Sequence, residues 1–159
     1  MRLMMTLGVF CGVAGLFSAC GSGSRGNGEP IVKQEYVHKY GMEVAENEWS
    51  RRGKNGKVVS TLQNGVVVTK NFVNGTLAGE ATYTFPHSGA IQYIEMHDAG
   101  NLISKKELYP NGDLKSETRY GVNEQKTASY WYESGAPCYK EYYSEGKLMS
   151  GEYYSEDNQ

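Results

Sequence analysis

The chain has 159 residues, enough for one ordinary domain, with 16 Lys and Arg against 18 Asp and Glu and a net charge of -2. This weakly acidic balance argues against a nucleic-acid binder, which would show a dense basic face, whereas Arg51-Arg52 and Lys105-Lys106 are isolated pairs. With 20 Gly and 13 Tyr, the composition predicts tight turns and a thin, aromatic-packed sheet rather than a thick aliphatic core.

Residues 1–19 have the form of an export signal, with one cation at Arg2, an apolar run from Leu3 to Phe17 and two small residues. The run is too short and too weakly flanked for a stable transmembrane span. The ending Phe17-Ser18-Ala19-Cys20 resembles the bacterial lipobox. This resemblance implies that the signal is cut before Cys20, that lipid is attached to Cys20, and that the acyl chains anchor the chain to a membrane. The alternative is an ordinary secretory cleavage region.

Residues 20–29 combine the lipidated cysteine with a flexible Gly/Ser-rich tether. By resemblance to other lipoproteins, Gly21 implies sorting to an outer membrane where the cell has one, and the expected location is the cell envelope. With Cys11 removed and Cys20 lipidated, Cys138 is left as the single thiol, so no intramolecular disulfide is expected. We interpret Cys138 as a bystander or an intermolecular cysteine rather than a nucleophile.

Residues 30–55 form the least regular part of the chain. The sequence predicts strands on both sides of a turn at Gly41, followed by one helical turn over residues 45–49. Glu46 and Glu48 form a carboxylate pair near two arginines, which is compatible with general acid and base chemistry. A solvated charged turn is the favoured interpretation, because nothing else in the sequence converges on this pair.

Residues 56–157 carry a repeat marked by glycine. Glycines fall at positions 56, 65, 75, 89, 100, 112, 135 and 146, and an aliphatic residue stands two positions after nearly every one. The last steps are 11, 12, 23 and 11, and we interpret the step of 23 as a doubled unit whose middle turn, at Asn123-Glu124, has lost its glycine. A turn glycine about every 11 residues predicts one short strand per turn, and therefore an all-β antiparallel meander of hairpins.

The repeat region also predicts the type of its turns and the two faces of its strands. The dipeptide Asn-Gly predicts type I′ turns, which need positive φ at both central residues. Alternation within the strands predicts an apolar face with Val68 and Phe72 and a polar face with Thr69 and Lys70. The dipeptide occurs at positions 55–56, 64–65, 74–75 and 111–112.

The repeated unit, Gly-x-Leu or Gly-x-Val followed by an aromatic residue and another Gly, resembles the variant MORN repeats of bacterial YwqK-type proteins. The resemblance extends from about Gly53 to Tyr154. It implies hairpins of about 22 to 24 residues stacked into an elongated, twisted antiparallel sheet. It also implies association with proteins or membrane lipids, without shared catalytic residues. The antitoxin label attached to the family implies a cytoplasmic toxin as partner, which an exported chain cannot easily meet.

The sequence contains no spacing that is typical of a cofactor, metal or catalytic site. His38, His87 and His97 lack metal-ligand spacing, even with Asp98 adjacent to the last of them. Ser88 follows His87 directly, and we interpret this pair as part of a turn rather than as a nucleophile with its base. We therefore predict neither a metal nor a cofactor, and no enzymatic activity.

Tyrosines cluster near the end of the chain. An outward aromatic face would bind a protein or a glycan, and Tyr130, Tyr132, Tyr139 and Tyr143 are the candidate interaction residues. The favoured interpretation is that half of the cluster packs as cross-strand pairs while alternation leaves the other half outward. We expect a membrane-anchored, non-enzymatic interaction module. The alternatives are a carbohydrate-binding or envelope-enzyme accessory protein and an antitoxin or immunity protein.

Overall fold

The computed structural model describes residues 28–156, so the predicted signal segment and Cys20 lie outside the described residues. The described part is almost entirely strand, with one short helix. Its elements are β1 (Ile31–His38), β2 (Glu43–Val44), α1 (Glu46–Arg51), β3 (Gly56–Leu62), β4 (Val67–Val73), β5 (Thr76–Thr84), β6 (Ile91–Asp98), β7 (Asn101–Leu108), β8 (Leu114–Tyr120), β9 (Lys126–Trp131), β10 (Pro137–Ser144) and β11 (Lys147–Tyr153).

All eleven strands form one open sheet in the order β11-β10-β9-β8-β7-β6-β5-β4-β3-β1-β2. Each strand pairs antiparallel with its neighbours, and from β3 onward each strand follows its predecessor as a hairpin. The predicted all-β antiparallel meander of repeated hairpins is therefore confirmed. The sheet ends at β11 on one side and at β1 and β2 on the other.

The beginning of the described chain departs from the simple meander. β1 and β2 form a hairpin at Gly41, whose N–H donates to the His38 carbonyl at 2.7 Å. α1 then leads from β2 to β3 on the opposite side of β1, so that the chain crosses over β1. The helix covers Glu46–Arg51, in the place where the sequence predicted a helical turn.

The turns at one end of the sheet are two-residue turns with positive φ at both central positions. Asn74-Gly75 is one of them, as its Asn-Gly sequence predicted. Asn123 and Glu124 have φ of 53° and 56°, so the predicted turn forms here without a glycine. Ala99-Gly100 and Glu145-Gly146 complete this set.

The turns at the opposite end are of a second kind, and here the type I′ prediction is wrong. In the Asn64-Gly65 and Asn111-Gly112 turns only the glycine has positive φ. The Gly65 N–H donates to the Leu62 carbonyl at 2.9 Å, as in a type I turn that ends on a left-handed glycine. The prediction is also wrong for positions 55–56, where the chain passes from the α1 region into β3 and makes no hairpin.

The core is small and lies beneath α1. Among residues 28–156, the buried hydrophobic side chains are Trp49, Val68 and Ala81. The Trp49 ring lies 5.8 Å from Tyr36 and 6.4 Å from Phe72, measured between ring centroids. One aromatic side chain from the helix therefore closes the sheet over β1, β3 and β4, and no other helix of the described chain covers the strands that follow.

The predicted division of β4 into an apolar and a polar face is wrong for Lys70. Its cross-strand partners are Val58 on β3 and Ala81 on β5, which places it on the same face as Val68 and Phe72. The physical reason is the period of two along a strand, which sets the face whatever the chemistry of the side chain. A lysine is tolerated there because its aliphatic stem packs while the ammonium group reaches outward.

Candidate interaction surfaces

The face of the sheet that α1 covers, here called the front face, can be followed across ten strands because cross-strand partners share a face. Two unbroken lines of partners run along it from β1 to β11. The first line consists of Tyr36, Val58, Lys70, Ala81, Glu95, Lys105, Thr118, Ala128, Glu141 and Gly151. The second consists of Gln34, Ser60, Val68, Tyr83, Tyr93, Glu107, Ser116, Tyr130, Tyr139 and Tyr153.

Three tyrosines at the end of the second line form a continuous tyrosine row, defined as Tyr130, Tyr139 and Tyr153. The rings of Tyr130 and Tyr139 are stacked, with centroids 5.4 Å apart and planes 10° apart. Tyr153 follows at 6.3 Å from Tyr139 and is 64% exposed. The rings of Tyr130 and Tyr139 cover each other's faces, whereas Tyr153 is tilted by 38° from Tyr139 and is the outermost ring of the row.

Glu141 joins the row to its neighbours. The hydroxyls of Tyr143 and Tyr153 both donate to this carboxylate at 2.7 Å. These two hydrogen bonds, with Tyr153 the stronger influence, hold the pKa of Glu141 below its ordinary value. The Lys126 ammonium lies 4.0 Å from the centroid of the Tyr143 ring, which suits a cation-π contact. This end of the front face is therefore a connected network of rings, a carboxylate and a lysine.

The structure places the predicted interaction residues as follows. Tyr130, Tyr139 and Tyr143 lie together on the front face of β9 and β10. Tyr132 lies beyond the end of β9, in the turn to β10, and its hydroxyl donates to the Tyr154 carbonyl at 3.2 Å. Tyr153 joins the group although the sequence reasoning did not select it, and its register opposite Tyr139 is what brings it there.

A second network occupies the middle of the front face around Glu95. Its carboxylate accepts a hydrogen bond of 3.0 Å from the Tyr83 hydroxyl and lies 3.6 Å from the Lys105 ammonium and 3.9 Å from the His97 Nε2. Burial, and then the charge of Glu95, raise the pKa of Tyr83. The charge of Glu95 is thus shared among groups from three neighbouring strands.

A groove of about 430 Å³ lies between α1 and the front face, and we call it the α1 groove. This volume lies within the range of about 300 to 1,000 Å³ that is typical of small-molecule sites. Its polar groups include Gln34, whose side chain donates to the Ser60 hydroxyl at 3.2 Å, and Lys70. The apolar and aromatic part of its lining consists of Ile31, Tyr36, Trp49, Val58, Leu62, Val68, Phe72 and Tyr83.

The sequence reasoning missed the α1 groove. Its residues come from α1 and several strands, and no spacing along the chain relates them. Trp49, the last residue of the predicted helical turn, was the available signal, because a large aromatic residue in a charged segment has to find a packing surface. That surface is the front face of β1, β3 and β4.

The histidines have structural surroundings. The His87 N–H donates to the Gly65 carbonyl at 3.2 Å, and its ring lies against Gly65. His38 is buried and packs beside Tyr40, with ring centroids 5.2 Å apart, while His97 belongs to the Glu95 network. Within the described range, no group of three or more His, Cys, Asp or Glu is arranged to hold a metal ion.

The other residues considered for chemistry lie apart from the two networks on the front face. Glu48 forms salt bridges with both Arg51 and Arg52, the latter at 3.1 Å, and these contacts stabilise α1 as i,i+3 and i,i+4 pairs. Glu46 is exposed at the rim of the α1 groove. Cys138 is a free, half-buried thiol on β10.

Across residues 28–156, no helix is long and apolar enough to span a bilayer. A scan against protein-family models and a search of curated proteins found no match to this chain. The resemblance to variant MORN repeats therefore stays a prediction from the sequence.

Proposed function

We propose that the chain is a lipid-anchored protein of the cell envelope, and that its described part is a non-enzymatic module that binds another protein. The carrying observation is the last strand. β11 is exposed at every residue, pairs only with β10, and carries the last ring of the tyrosine row, Tyr153. An unpaired strand edge offers N–H and C=O groups to an incoming strand, and adjacent tyrosines supply side-chain anchors.

Both ends of the sheet expose apolar side chains, including Ile31 and Val32 of β1 at 54% and 62%, and the two ends differ in what packs on them. At the first end, α1 packs Trp49 over the sheet and β2 covers part of β1. At the last end, Leu148 and Met149 are 51% and 67% exposed. Repeat arrays normally need a polar cap on each terminal unit. The apolar residues of β11 therefore suit a surface that a partner covers.

Crosslinking in intact envelopes tests the proposal. Benzoylphenylalanine is incorporated in place of Met149 on β11 or, as the matched control, in place of Val122, which is 77% exposed in the turn before β9. We expect a discrete crosslinked species from position 149 and none from position 122. Equal, diffuse crosslinking from both positions, or none from either, would count against β11 as a binding edge.

The proposed anchor requires lipidation of Cys20, and a second experiment addresses it alone. Replacing Cys20 with Ala should abolish lipid labelling and release the chain from the membrane fraction, whereas Cys138→Ala should change neither. Membrane fractionation that persists in Cys20→Ala would refute the anchor while leaving the crosslinking result at β11 unaffected.

A carbohydrate-binding function is the second candidate, and the exposure of the Tyr153 ring favours it. Stacking on a sugar needs an open ring face. The stacked rings of Tyr130 and Tyr139 cover each other's faces, so Tyr153 is the residue to test. Glycan-array binding that is lost in Tyr153→Ala and kept in Tyr120→Ala would promote this candidate over protein binding.

A further inference from the structure

We propose that a groove on the back face of the sheet binds a neutral oligosaccharide whose flat pyranose rings stack on Trp131. The back face is the face opposite to the one that α1 covers. The site is separate from the β11 edge and from Tyr153, which lies on the front face opposite Tyr139. Its test is therefore independent of the protein-binding function and of the glycan candidate at Tyr153.

The groove follows β9, and we call it the β9 groove. The pairing register and the alternation of side chains place Thr127, Ser129 and Trp131 on the back face of β9, and the first two are small. The residues opposite them on β8 and β10 are larger, so they form walls on both sides of a floor. Two strand spacings separate the main chains of the walls by about 10 Å. The cavity has a volume of about 380 Å³, and its walls are Glu117, Arg119, Lys140 and Tyr142.

Trp131 lies at one end of the β9 groove and differs from the other tryptophan of the chain. Trp49 is buried and packs against two aromatic rings. The Trp131 side chain is half-buried and lines the groove. Across residues 28–156 its ring has no aromatic or cation-π partner, and its Nε1–H has no hydrogen-bond acceptor. Trp131 therefore offers a ring surface and a hydrogen-bond donor to a ligand.

The floor of the β9 groove presents two hydroxyl groups. Within the described part of the chain, the side chains of Thr127 and Ser129 make no hydrogen bond to another residue. Both side chains are only half-buried, so a ligand can reach them from solvent. A hydroxyl group can both donate and accept a hydrogen bond, which suits the hydroxyl groups of a sugar.

The charged groups of the walls are paired with one another, so the β9 groove favours neither an anion nor a cation. The Glu117 carboxylate lies 3.1 Å from the Arg119 guanidinium and 3.9 Å from the Lys106 ammonium. Lys140 lies opposite Glu152 on β11. A neutral ligand with several hydroxyl groups can hydrogen-bond to the donors and acceptors of these pairs without separating them.

An extended neutral oligosaccharide matches these features together. A pyranose ring with equatorial hydroxyls has apolar C–H faces and polar edges, so it can stack on Trp131 while its edges meet the floor and the walls. Rings joined in a straight ribbon follow a groove that runs along one strand. An added peptide strand does not fit, because β9 is already paired on both sides. An apolar ligand would take the polar groups of the floor and walls out of water without giving them hydrogen bonds.

Fluorine NMR measures binding at Trp131 directly. The chain contains 2 Trp, so labelling with fluorotryptophan gives one signal for Trp49 and one for Trp131, and the variant Trp131→Phe assigns them. The full chain is reconstituted in phosphatidylcholine nanodiscs, which avoids detergents with sugar head groups. It is titrated with cellotetraose and chitotetraose, which are straight neutral ribbons, and with sorbitol, which has hydroxyls but no ring face.

Further variants locate the site. Ser129→Gln fills the floor of the β9 groove and leaves Trp131 in place, and Thr127→Gln serves if Ser129→Gln loses its strand circular dichroism. Ser116→Gln is the matched control, since Ser116 lies opposite Tyr130 on the front face. Tyr153→Ala tests whether the sugar binds at the tyrosine row instead.

We expect one or both oligosaccharides to shift the Trp131 signal saturably while the Trp49 signal stays in place, and sorbitol to shift neither. Ser129→Gln should weaken binding at least about tenfold, because the longer side chain keeps the sugar from the floor. Ser116→Gln and Tyr153→Ala should keep the affinity within about twofold. No saturable shift with either oligosaccharide, an equal shift with sorbitol, full affinity in Ser129→Gln, or loss of binding in Tyr153→Ala would each overturn the proposal.

Discussion

The hydroxyl of Tyr109 donates a hydrogen bond of 2.9 Å to the main-chain carbonyl of Trp131, which lies 22 residues later in the chain. The hydroxyl of Tyr132 makes the corresponding bond to the carbonyl of Tyr154, again across 22 residues. In both cases a tyrosine that opens a turn at one end of the sheet reaches the equivalent place on the next hairpin. The tyrosine of the repeated unit therefore joins successive hairpins, in addition to the main-chain ladder.

Replacing Tyr109 with Phe removes this bond while keeping the ring. We expect a loss of about 1 kcal/mol in the free energy of unfolding, because one half-buried carbonyl loses its hydrogen-bond donor. Urea denaturation followed by circular dichroism measures the change. Tyr120→Phe, at the exposed end of β8, is the control and should stay within about 0.5 kcal/mol of the wild type. Equal effects of the two substitutions would mean that the hydrogen bond from Tyr109 to the Trp131 carbonyl does not stabilise the sheet.

The glycines of the repeat differ in what they tolerate. Gly56 has φ of 130°, and a Cβ placed on it would lie 2.2 Å from the Val37 carbonyl oxygen. Gly112 has φ of 93° with no atom within 4 Å of such a Cβ. Gly112→Ala should therefore cost about 1 to 2 kcal/mol from backbone strain alone.

Gly56→Ala adds a clash with the main chain to that strain and should cost clearly more, at about 3 kcal/mol or above. Thermal and urea unfolding of the two variants give the comparison. Similar costs at both positions would show that β1 shifts away from residue 56 without penalty.

The glycine register was a sufficient guide to the strands because a hairpin repeat places its turns at fixed intervals. It predicted even the turn at Asn123-Glu124, where both residues adopt positive φ without a glycine. Turn type did not follow from the Asn-Gly dipeptide, because Asn-Gly is compatible with two backbone conformations. At Asn74-Gly75 both residues have positive φ, whereas at Asn64-Gly65 only the glycine does. The number of residues in the turn decides between these two conformations. That number is set by the pairing register of the two flanking strands rather than by the dipeptide.

The candidate sites followed less well from the sequence. Tyr130 and Tyr139 were selected for their type, and the pairing of β9 with β10 stacks them. The α1 groove could not be derived, because the contact of Trp49 with Phe72 depends on how the chain crosses over β1. The prediction of Lys70 on the polar face is wrong because it followed the charge of the side chain, whereas the alternation of side chains along β4 places Lys70 on the same face as Val68 and Phe72.

Trp49 should dominate the stability of the first strands. It is 4% exposed and contacts Tyr36 and Phe72, so Trp49→Ala should cost about 3 to 5 kcal/mol. Hydrogen exchange should show the largest loss of protection in β1. Trp131→Ala, at a half-buried position on β9, is the control and should leave the protection of β1 unchanged. Uniform deprotection of the whole sheet by Trp49→Ala would show instead that the sheet unfolds as one cooperative unit.

Glu141 makes the tyrosine network dependent on acid. Hydrogen bonds from Tyr153 and Tyr143 lower its pKa in the folded state, so its contribution to stability is present above the ordinary value of 4.5 and is lost as the pH falls through the lowered one. Glu141→Gln should lower the Tm at pH 7, and its difference from the wild type should shrink well below pH 4.5. Glu145→Gln, in the exposed turn before β11, should leave the Tm unchanged. A Tm difference between Glu141→Gln and the wild type that stays constant with pH would show that the stabilisation does not depend on the ionisation of Glu141.

Lys70 should have the opposite effect on stability, because its charged form destabilises the folded chain and this cost disappears at alkaline pH. Burial lowers its pKa from 10.5, so the folded chain binds fewer protons than the unfolded chain in the interval below that value, and stability rises with pH across it. Lys70→Met removes this cost and should stabilise the chain at pH 7 by about 0.5 kcal/mol. The gain should narrow as the pH approaches 10.5. Urea unfolding across this range gives the measurement, with exposed Lys57→Met as the control. A destabilised Lys70→Met at pH 7 would show that the attraction of the Lys70 charge to the charge of Glu95 outweighs burial.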